Sequence, residues 1–184
     1  MAGPTARGGR MRDALGTARL ALRRFRPDDA PALHELFGDP ETHTIGTGPV
    51  ASLARTEEWI ERRTAFHAET GLVWYGAWLR DGGPLVGNCG IFAGRTGRVE
   101  PEIGYEIRRS HQGHGLAGEA ARAVLAECDA AGIARVWATV RPHNAASLKV
   151  LSRLGMAHAH TRTDERGELL YLSRRAGCFT PGGN

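Results

Sequence analysis

The apolar positions along the chain follow two periods, and the change between them outlines the fold. Ala18–Phe25 alternates between apolar and polar residues, a pattern that predicts a first strand. A helix is expected from Pro27–Asp29 onwards, since proline and acidic residues favour a first helical turn. A second amphipathic helix is predicted over Ser52–Thr70, and the Gly-, Pro- and Thr-rich segment Gly38–Val50 is expected to be a loop.

From Leu72 onwards the apolar period shortens to that of strands. Leu72–Leu79 and Pro84–Phe92 predict a hairpin, and Arg98–Ile107 predicts the third strand of an antiparallel meander. The later elements are expected to be a helix, a strand, a helix and a hairpin, over Leu116–Ala131, Arg135–Val140, Ala145–Leu154 and around Asp164–Gly167. The predicted fold class is α/β (α+β), with a mixed, mostly antiparallel sheet flanked by helices.

Length and composition indicate one globular domain. The chain has 184 residues, of which 41% are hydrophobic and 24% charged, and its formal net charge is +4. The domain is predicted to span residues 18–175, with a flexible extension over residues 1–17 and a flexible tail over residues 176–184.

The cysteines and the apolar runs bear on the cellular compartment. Cys89, Cys128 and Cys178 are odd in number and have no CxxC spacing, which disfavours a disulfide framework or a zinc site. No apolar run is long enough to span a membrane, and Met1–Arg12 lacks the hydrophobic core of a secretory signal. A cytoplasmic location is therefore expected.

The segment Gln112–Ala117 is the strongest chemical signal in the sequence. It is a glycine-rich turn between a predicted strand and a predicted helix, where exposed N–H groups and the positive end of the helix dipole favour an anion. Because glycine has no Cβ, a phosphate can approach its backbone closely. This turn is predicted to bind a phosphorylated ligand.

Two ligands fit this turn. Gly113–Gly118 matches the G-x-G-x-x-G dinucleotide pattern, but it follows an antiparallel meander, and the next strand ends at Arg141 with no acidic residue for a ribose. An arginine there is compatible with a 2′-phosphate, so an NADP-dependent reductase stays a minor alternative. Gln112, Gly115 and Ala117 instead match the pattern Gln/Arg-x-x-Gly-x-Gly/Ala.

In this setting the segment resembles the acyl-CoA pyrophosphate loop of the GNAT superfamily of N-acetyltransferases. The resemblance extends from about Ala18 to Ser173. Within the superfamily, the chain is similar to the branch of ribosomal-protein N-terminal (alanine/serine) acetyltransferases. The supporting motifs are Leu20–Asp29, Ile103-Gly104-Tyr105, Gly118-Glu119-Ala120, Asn144–Ser147 and Leu154-Gly155.

The resemblance implies a GNAT domain whose central strands part to admit acetyl-CoA as a co-substrate. It suggests a β-bulge near Gly104, with a free backbone N–H to polarise the acetyl carbonyl. The residues that it assigns to the cofactor are Tyr105, Ile107, Gln112, Gly113, His114, Gly115, Leu116, Ala117, Asn144 and Ser147.

Two side chains are predicted to be catalytic. An amine substrate is mostly ammonium at neutral pH, so a base must remove a proton before attack; Glu102 is the first candidate and Glu106 the second. The alternative for both is a solvated acidic strand surface. The resemblance implies that Ser147 donates a hydrogen bond to the departing sulfur. Many members of the superfamily instead use a tyrosine four residues later, where this chain has Leu151. Helix capping is the alternative role of Asn144 and Ser147.

The histidines and aromatic residues complete the expectations. His111 and His114 flank the loop and His158 and His160 alternate on a late strand, but without a third ligand no metal site is predicted. Trp59, Phe66, Trp74 and Trp78 are expected to form core or pocket walls, and no nucleic-acid-binding motif is present.

The predicted reaction is acetyl transfer from acetyl-CoA directly to a primary amine. The amine is the N-terminus of a ribosomal or other protein, or a small molecule, and neither a nucleic acid nor a membrane is an expected partner. The sequence leaves open whether the protein forms a homodimer. The alternative from another class is a non-catalytic acyl-CoA-binding sensor on the same fold.

Overall fold

A computed structural model describes residues 9–43 and 48–177. The strands are β1 (Ala14–Gly16), β2 (Leu20–Arg24), β3 (Trp74–Leu79), β4 (Leu85–Gly94), β5 (Gly97–Ile107), β6 (Arg135–Val140), β7 (Ala157–Asp164) and β8 (Gly167–Arg175). The α-helices are α1 (Ala30–Phe37), α2 (Leu53–Thr70), α3 (Leu116–Ala130) and α4 (Ala145–Arg153). Within the described residues, no helix is both long and apolar enough to cross a membrane.

The strands form one sheet in the order β1-β2-β3-β4-β5-β6-β8-β7. All neighbours are antiparallel except β5 and β6, which run parallel. The fold class expected from the sequence is confirmed. A doubly wound parallel sheet, which the dinucleotide pattern would require, is not what the described residues form.

The two faces of the sheet have different covers because side chains alternate along each strand. Tyr75, Cys89 and Ile103 lie in the larger apolar core, together with the apolar face of α3. On the opposite face, α1 and α2 pack over a second cluster that contains Leu33, Leu36, Phe37 and Ile60. The candidate active site lies where the second face meets the end of β5.

The N-terminal boundary differs from the prediction. Residues 9–17 are part of the fold, since β1 pairs with β2 through Leu15↔Leu22 and Met11 is buried in the core. The prediction of a flexible extension is wrong for these residues, because a strand of three residues is too short for a period-two pattern to show. Residues 1–8 and 178–184 lie outside the described residues.

Three tryptophans, Trp59, Trp74 and Trp78, form walls on the α1–α2 side, as expected. Trp59 meets the ring of Trp74 edge-on at 5.9 Å, and Trp74 meets Phe92 at 5.5 Å between centroids. The Trp74 ring lies over Gly104 of β5, where an added Cβ would approach the ring to 2.7 Å. Glycine at that position therefore allows an aromatic wall to lie directly on the central strand.

Candidate active site

The turn before α3 presents a row of free backbone donors. The N–H groups from Gly113 to Gly118 have no hydrogen-bond acceptor within the described parts of the chain. Gly113 and Gly115 have φ of 81° and 79°, in the left-handed region that costs other residues about 1–2 kcal/mol. The first turn of α3 thus has the free N–H donors that the predicted anion cradle requires.

Side chains outside the turn hold this cradle in place. The Nη1 of Arg19 donates to the carbonyl oxygen of His114 at 2.9 Å, and the same guanidinium pairs with Glu119 at 2.7 Å. The Gln112 side chain donates to the carbonyl oxygen of Ile107 at 2.9 Å. Gln112 therefore closes the loop with its side-chain amide, and the ligand-facing surface is left to the backbone.

The other residues assigned to the cofactor divide between core and surface. Ile107 and Leu116 are buried in the core behind the loop, and Ala117 packs against it. His114 is exposed, with its side chain near the carbonyl oxygen of His111 at 3.4 Å. These residues shape the turn, while His114 is the member of the group whose side chain borders solvent.

Asn144 and Ser147 lie at the start of α4. The Oδ1 of Asn144 accepts from the Ser147 N–H at 3.0 Å, which is the helix cap that the sequence allows. The Oγ of Ser147 is 2.8 Å from the hydroxyl of Tyr105, so two hydroxyl groups meet between β5 and α4. Burial raises the pKa of Tyr105 to about 12. Leu151, at the alternative tyrosine position, is core.

The sheet opens beside this hydroxyl pair. In the described part of the chain, the ladder between β5 and β6 consists of the pair Glu102↔Trp137, so the later half of β5 leaves its edge free. The β4–β5 register runs without a shift from Gly87↔Ile107 to Phe92↔Glu102. The prediction of a β-bulge near Gly104 is therefore wrong. The register shift between β4 and β5 lies instead between Phe92 and Gly94.

The regular register places Glu102 and Glu106 on one face of β5, but their environments differ. Glu102 is completely buried. One of its oxygens accepts from the N–H groups of Arg95 and Thr96, and the other accepts from the Thr139 hydroxyl at 2.9 Å. Its contacts tie β5 to the β4–β5 turn and to β6.

Glu106 has a histidine partner. Its Oε2 lies 2.7 Å from Nδ1 of His43, on the segment after α1. An ionised carboxylate only accepts, so the imidazole N–H donates. Burial raises the pKa of Glu106, and the hydrogen bond from His43 offsets part of that rise. A carboxylate with a raised pKa is a stronger base than an exposed one.

Two complementary polar atoms face each other at this position. Glu106 Oε1 and Asn88 Nδ2 are buried and have no partner of strict hydrogen-bond geometry among the described residues, but the Asn88 amide is close enough to lower the pKa of Glu106 as a donor. Asn88 faces Glu106 across the β4–β5 ladder, and its Oδ1 accepts from the indole of Trp74 at 3.1 Å. Buried polar atoms are rarely left unsatisfied, so the Asn88 amide and a substrate group are the two candidate partners of Glu106 Oε1.

Other candidates for covalent or metal chemistry are less suited. Cys89 is completely buried in the α3-side core, and burial raises the pKa of its thiol, so it is a poor nucleophile. Among the described residues, no group of three or more His, Cys, Asp or Glu side chains is placed to hold a metal ion.

Known proteins with similar sequences and folds agree with this architecture. Residues 19–157 match the family model of the Acetyltransferase (GNAT) domain. The chain belongs to the GNAT acetyltransferase family. It is an acyltransferase. A relative in Bacillus subtilis (strain 168), named uncharacterized N-acetyltransferase YoaA, is 32% identical; the match covers 77% of this chain and 81% of the relative.

Solved structures share the fold. RimL, a ribosomal L7/L12 alpha-N-protein acetyltransferase in complex with coenzyme A, has a TM-score of 0.79 and 19% identity, covering 88% of this chain and 97% of its own. The structure of yncA from Salmonella typhimurium, with its cofactor acetyl-CoA, has a TM-score of 0.69 and 18% identity, covering 89% and 98%.

Proposed function

We propose that this GNAT protein transfers the acetyl group of acetyl-CoA directly to a primary amine, with Glu106 and His43 receiving the amine proton. The observation that carries the proposal is the buried Glu106 carboxylate at the opened end of β5, which contacts His43 at 2.7 Å through one oxygen and faces the Asn88 amide with the other. An ammonium group bound there would contact this carboxylate and lie beside the parted strands. The base is thus Glu106, the second candidate from the sequence, rather than Glu102.

The cofactor is proposed to bind with its pyrophosphate on the N–H groups from Gly113 to Ala117. The positive end of the α3 dipole supports the same charge. The acetyl and pantetheine groups would then enter between β5 and β6. Acetyl-CoA in the yncA structure and coenzyme A in the RimL structure support this assignment, since both proteins share the fold.

The proton path follows from the charges. An alkylammonium has a pKa of about 10.4, so proton removal must precede or accompany attack. The amine nitrogen forms a bond to the acetyl carbon, the carbon–sulfur bond breaks, and the sulfur keeps the electron pair. The nitrogen loses two protons in all. The Glu106–His43 pair takes the first before attack; the Ser147 hydroxyl, which Tyr105 contacts, gives its proton to the thiolate and regains one as the product nitrogen releases the second.

The acceptor is either a protein N-terminus or a small-molecule amine, and the cytoplasm supplies acetyl-CoA and both kinds of amine. Buried, free Cys89 and Cys128 suit a reducing compartment. A metal has no assigned part in this transfer.

Thermal shift and thiol release test the proposal. Acetyl-CoA should raise the melting temperature when its concentration is ten to a hundred times a dissociation constant in the micromolar range. At those concentrations binding stabilises the native state by about 1.4–2.7 kcal/mol. NADPH should not raise the melting temperature. Free thiol should then appear when primary amines are added. Stabilisation without thiol release from a broad amine panel would support the sensor alternative instead.

The Ser147→Ala variant should slow the reaction without abolishing it. Coenzyme A thiol has a pKa near that of cysteine, about 8.5, so its thiolate leaves with little acid assistance. We expect turnover to fall about 10-fold or less, which is below the usual acid–base contribution of about 10²- to 10⁴-fold. Steady-state thiol release measures this, and Ser152→Ala, at an exposed position on the same helix, is the matched control. A loss as large as for a missing base would contradict this role.

A further inference from the structure

Arg63 of α2 points into the aromatic wall of the same face of the sheet. Its guanidinium carbon lies 4.6 Å from the centroid of the Trp74 ring, 5.0 Å from that of Trp59 and 5.8 Å from that of Phe92. The rings attract the cation through their faces. They do not accept its five in-plane N–H groups, which need oxygen or nitrogen partners.

No acidic side chain among the described residues pairs with this cation. Within residues 9–43 and 48–177, Arg63 forms neither an ion pair nor a hydrogen bond, whereas the adjacent Arg62 pairs with Glu58 at 3.7 Å. Burial, with a smaller contribution from the charge of Arg62, lowers the pKa of Arg63 to about 10. The guanidinium is still charged at neutral pH, so a partly buried positive charge faces this wall without an anion.

Space for an anion lies against the guanidinium. A pocket of about 290 Å³ is lined by Trp59, Arg62, Arg63, Phe66 and Ala93. Pockets of roughly this size are at the lower end of those that hold small molecules. Two cationic and two aromatic side chains make the pocket suited to an anionic group with an apolar stem.

Trp74 connects this pocket to the proposed site of amine binding. One part of its indole contacts the Arg63 guanidinium, and its N–H donates to Asn88, the cross-strand neighbour of Glu106. Arg63 and Glu106 therefore lie on the same face of the sheet with a shared aromatic wall. An acceptor along this wall would meet a carboxylate at one end and a guanidinium at the other.

We propose that Arg63 binds a carboxylate of the acetyl acceptor, so that the preferred substrate is a primary amine that also carries a carboxylate. This inference rests on the proposed function, since it needs the amine at Glu106. A free amino acid and the acidic side chain of a peptide both supply this chemistry. Arg63 is thus a specificity-determining residue that reads the acceptor and takes no part in acetyl-CoA binding.

Matched acceptors test the inference on the full-length protein. One arm compares ω-amino acids of increasing length with their primary amides, and the other compares peptides beginning Ala-Asp with peptides beginning Ala-Asn. We expect the wild type to favour the acid in at least one arm by about 10-fold or more in kcat/KM, the scale of one charge-assisted contact. The arm that shows the preference identifies the source of the carboxylate.

The Arg63→Gln variant should reduce that preference by about 10- to 100-fold through the KM of the acid. The kcat for the amide and the KM for acetyl-CoA should not change. Arg63→Lys, which keeps the charge but not the planar fork, should lose part of the preference. Arg55→Gln, at an exposed position on the same helix, removes the same charge and should keep it.

The outcomes separate this inference from the proposed function. If the wild type acetylates acids and amides equally, or if Arg63→Gln slows both equally, the inference is wrong and the proposed function stands. If the wild type acetylates no amine, the proposed function is wrong and the inference is wrong with it. If Arg63→Gln does not fold, as judged by circular dichroism, an unchanged preference in Arg63→Lys overturns the inference.

Discussion

The Glu106→Gln variant is expected to lower the turnover number for acetyl transfer by about 10²- to 10⁴-fold at neutral pH. An amide cannot accept the amine proton, although it occupies the same space beside His43. Binding of acetyl-CoA should be unaffected, because the cradle at Gly113–Gly118 lies beyond the end of β5. Thiol release at saturating acetyl-CoA measures turnover, and calorimetric titration measures the dissociation constant of acetyl-CoA.

The pH dependence of the turnover rate is a second test of Glu106 as the base. The base must be deprotonated, so the wild-type rate should fall as the pH falls through the pKa of Glu106. Burial raises that pKa above the usual glutamate range, so this acidic limb should lie at a higher pH than for an exposed carboxylate. The residual rate of Glu106→Gln should lack the limb.

Glu102→Gln separates the two glutamates. Its amide would place an NH₂ group or a weaker acceptor against donors from Arg95, Thr96 and Thr139. We expect a loss of about 1–3 kcal/mol in the free energy of unfolding, measured with urea. If instead Glu102→Gln abolishes turnover at unchanged stability while Glu106→Gln stays active, the assignment of the base to Glu106 is wrong.

The sequence predicted the turn before α3 and the start of α4 better than the contacts around Glu106. Gln112–Ala117 and Asn144–Ser147 are local patterns, in which the residues that act together are neighbours in the chain. Their roles in turn and cap geometry can be read from glycine position and helix-start chemistry. The strands were predicted for the same reason, with β1 missed because it is only three residues long.

The acceptor side depends on contacts between distant segments. His43 meets Glu106 across 63 positions, and Arg63 meets Trp74 and Phe92 through packing of α2 on the sheet. Nothing in the loop Gly38–Val50 marks one histidine as a partner for a strand carboxylate. The choice between Glu102 and Glu106 was equally out of reach, because both lie on one strand face and differ only in what surrounds them.

The Gly115→Ala variant is expected to weaken acetyl-CoA binding by about 10- to 100-fold. Gly115 has φ of 79° at the start of α3, so a Cβ there is strained by about 1–2 kcal/mol and the N–H groups of the turn would rotate to relieve it. The pyrophosphate would then lose one or more charge-assisted hydrogen bonds. Calorimetric titration with acetyl-CoA measures the loss, and kcat at saturating acetyl-CoA should change much less.

Gly132→Ala is the matched control, because it carries the same strain at the other end of α3. Gly132 has φ of 74°, and no atom lies within 4 Å of a Cβ added there. Both variants should lose a similar free energy of unfolding, but only Gly115→Ala should lose affinity for acetyl-CoA. If the two variants bind acetyl-CoA equally well, the cofactor does not use the N–H groups before α3, and the pyrophosphate must be placed elsewhere on the protein.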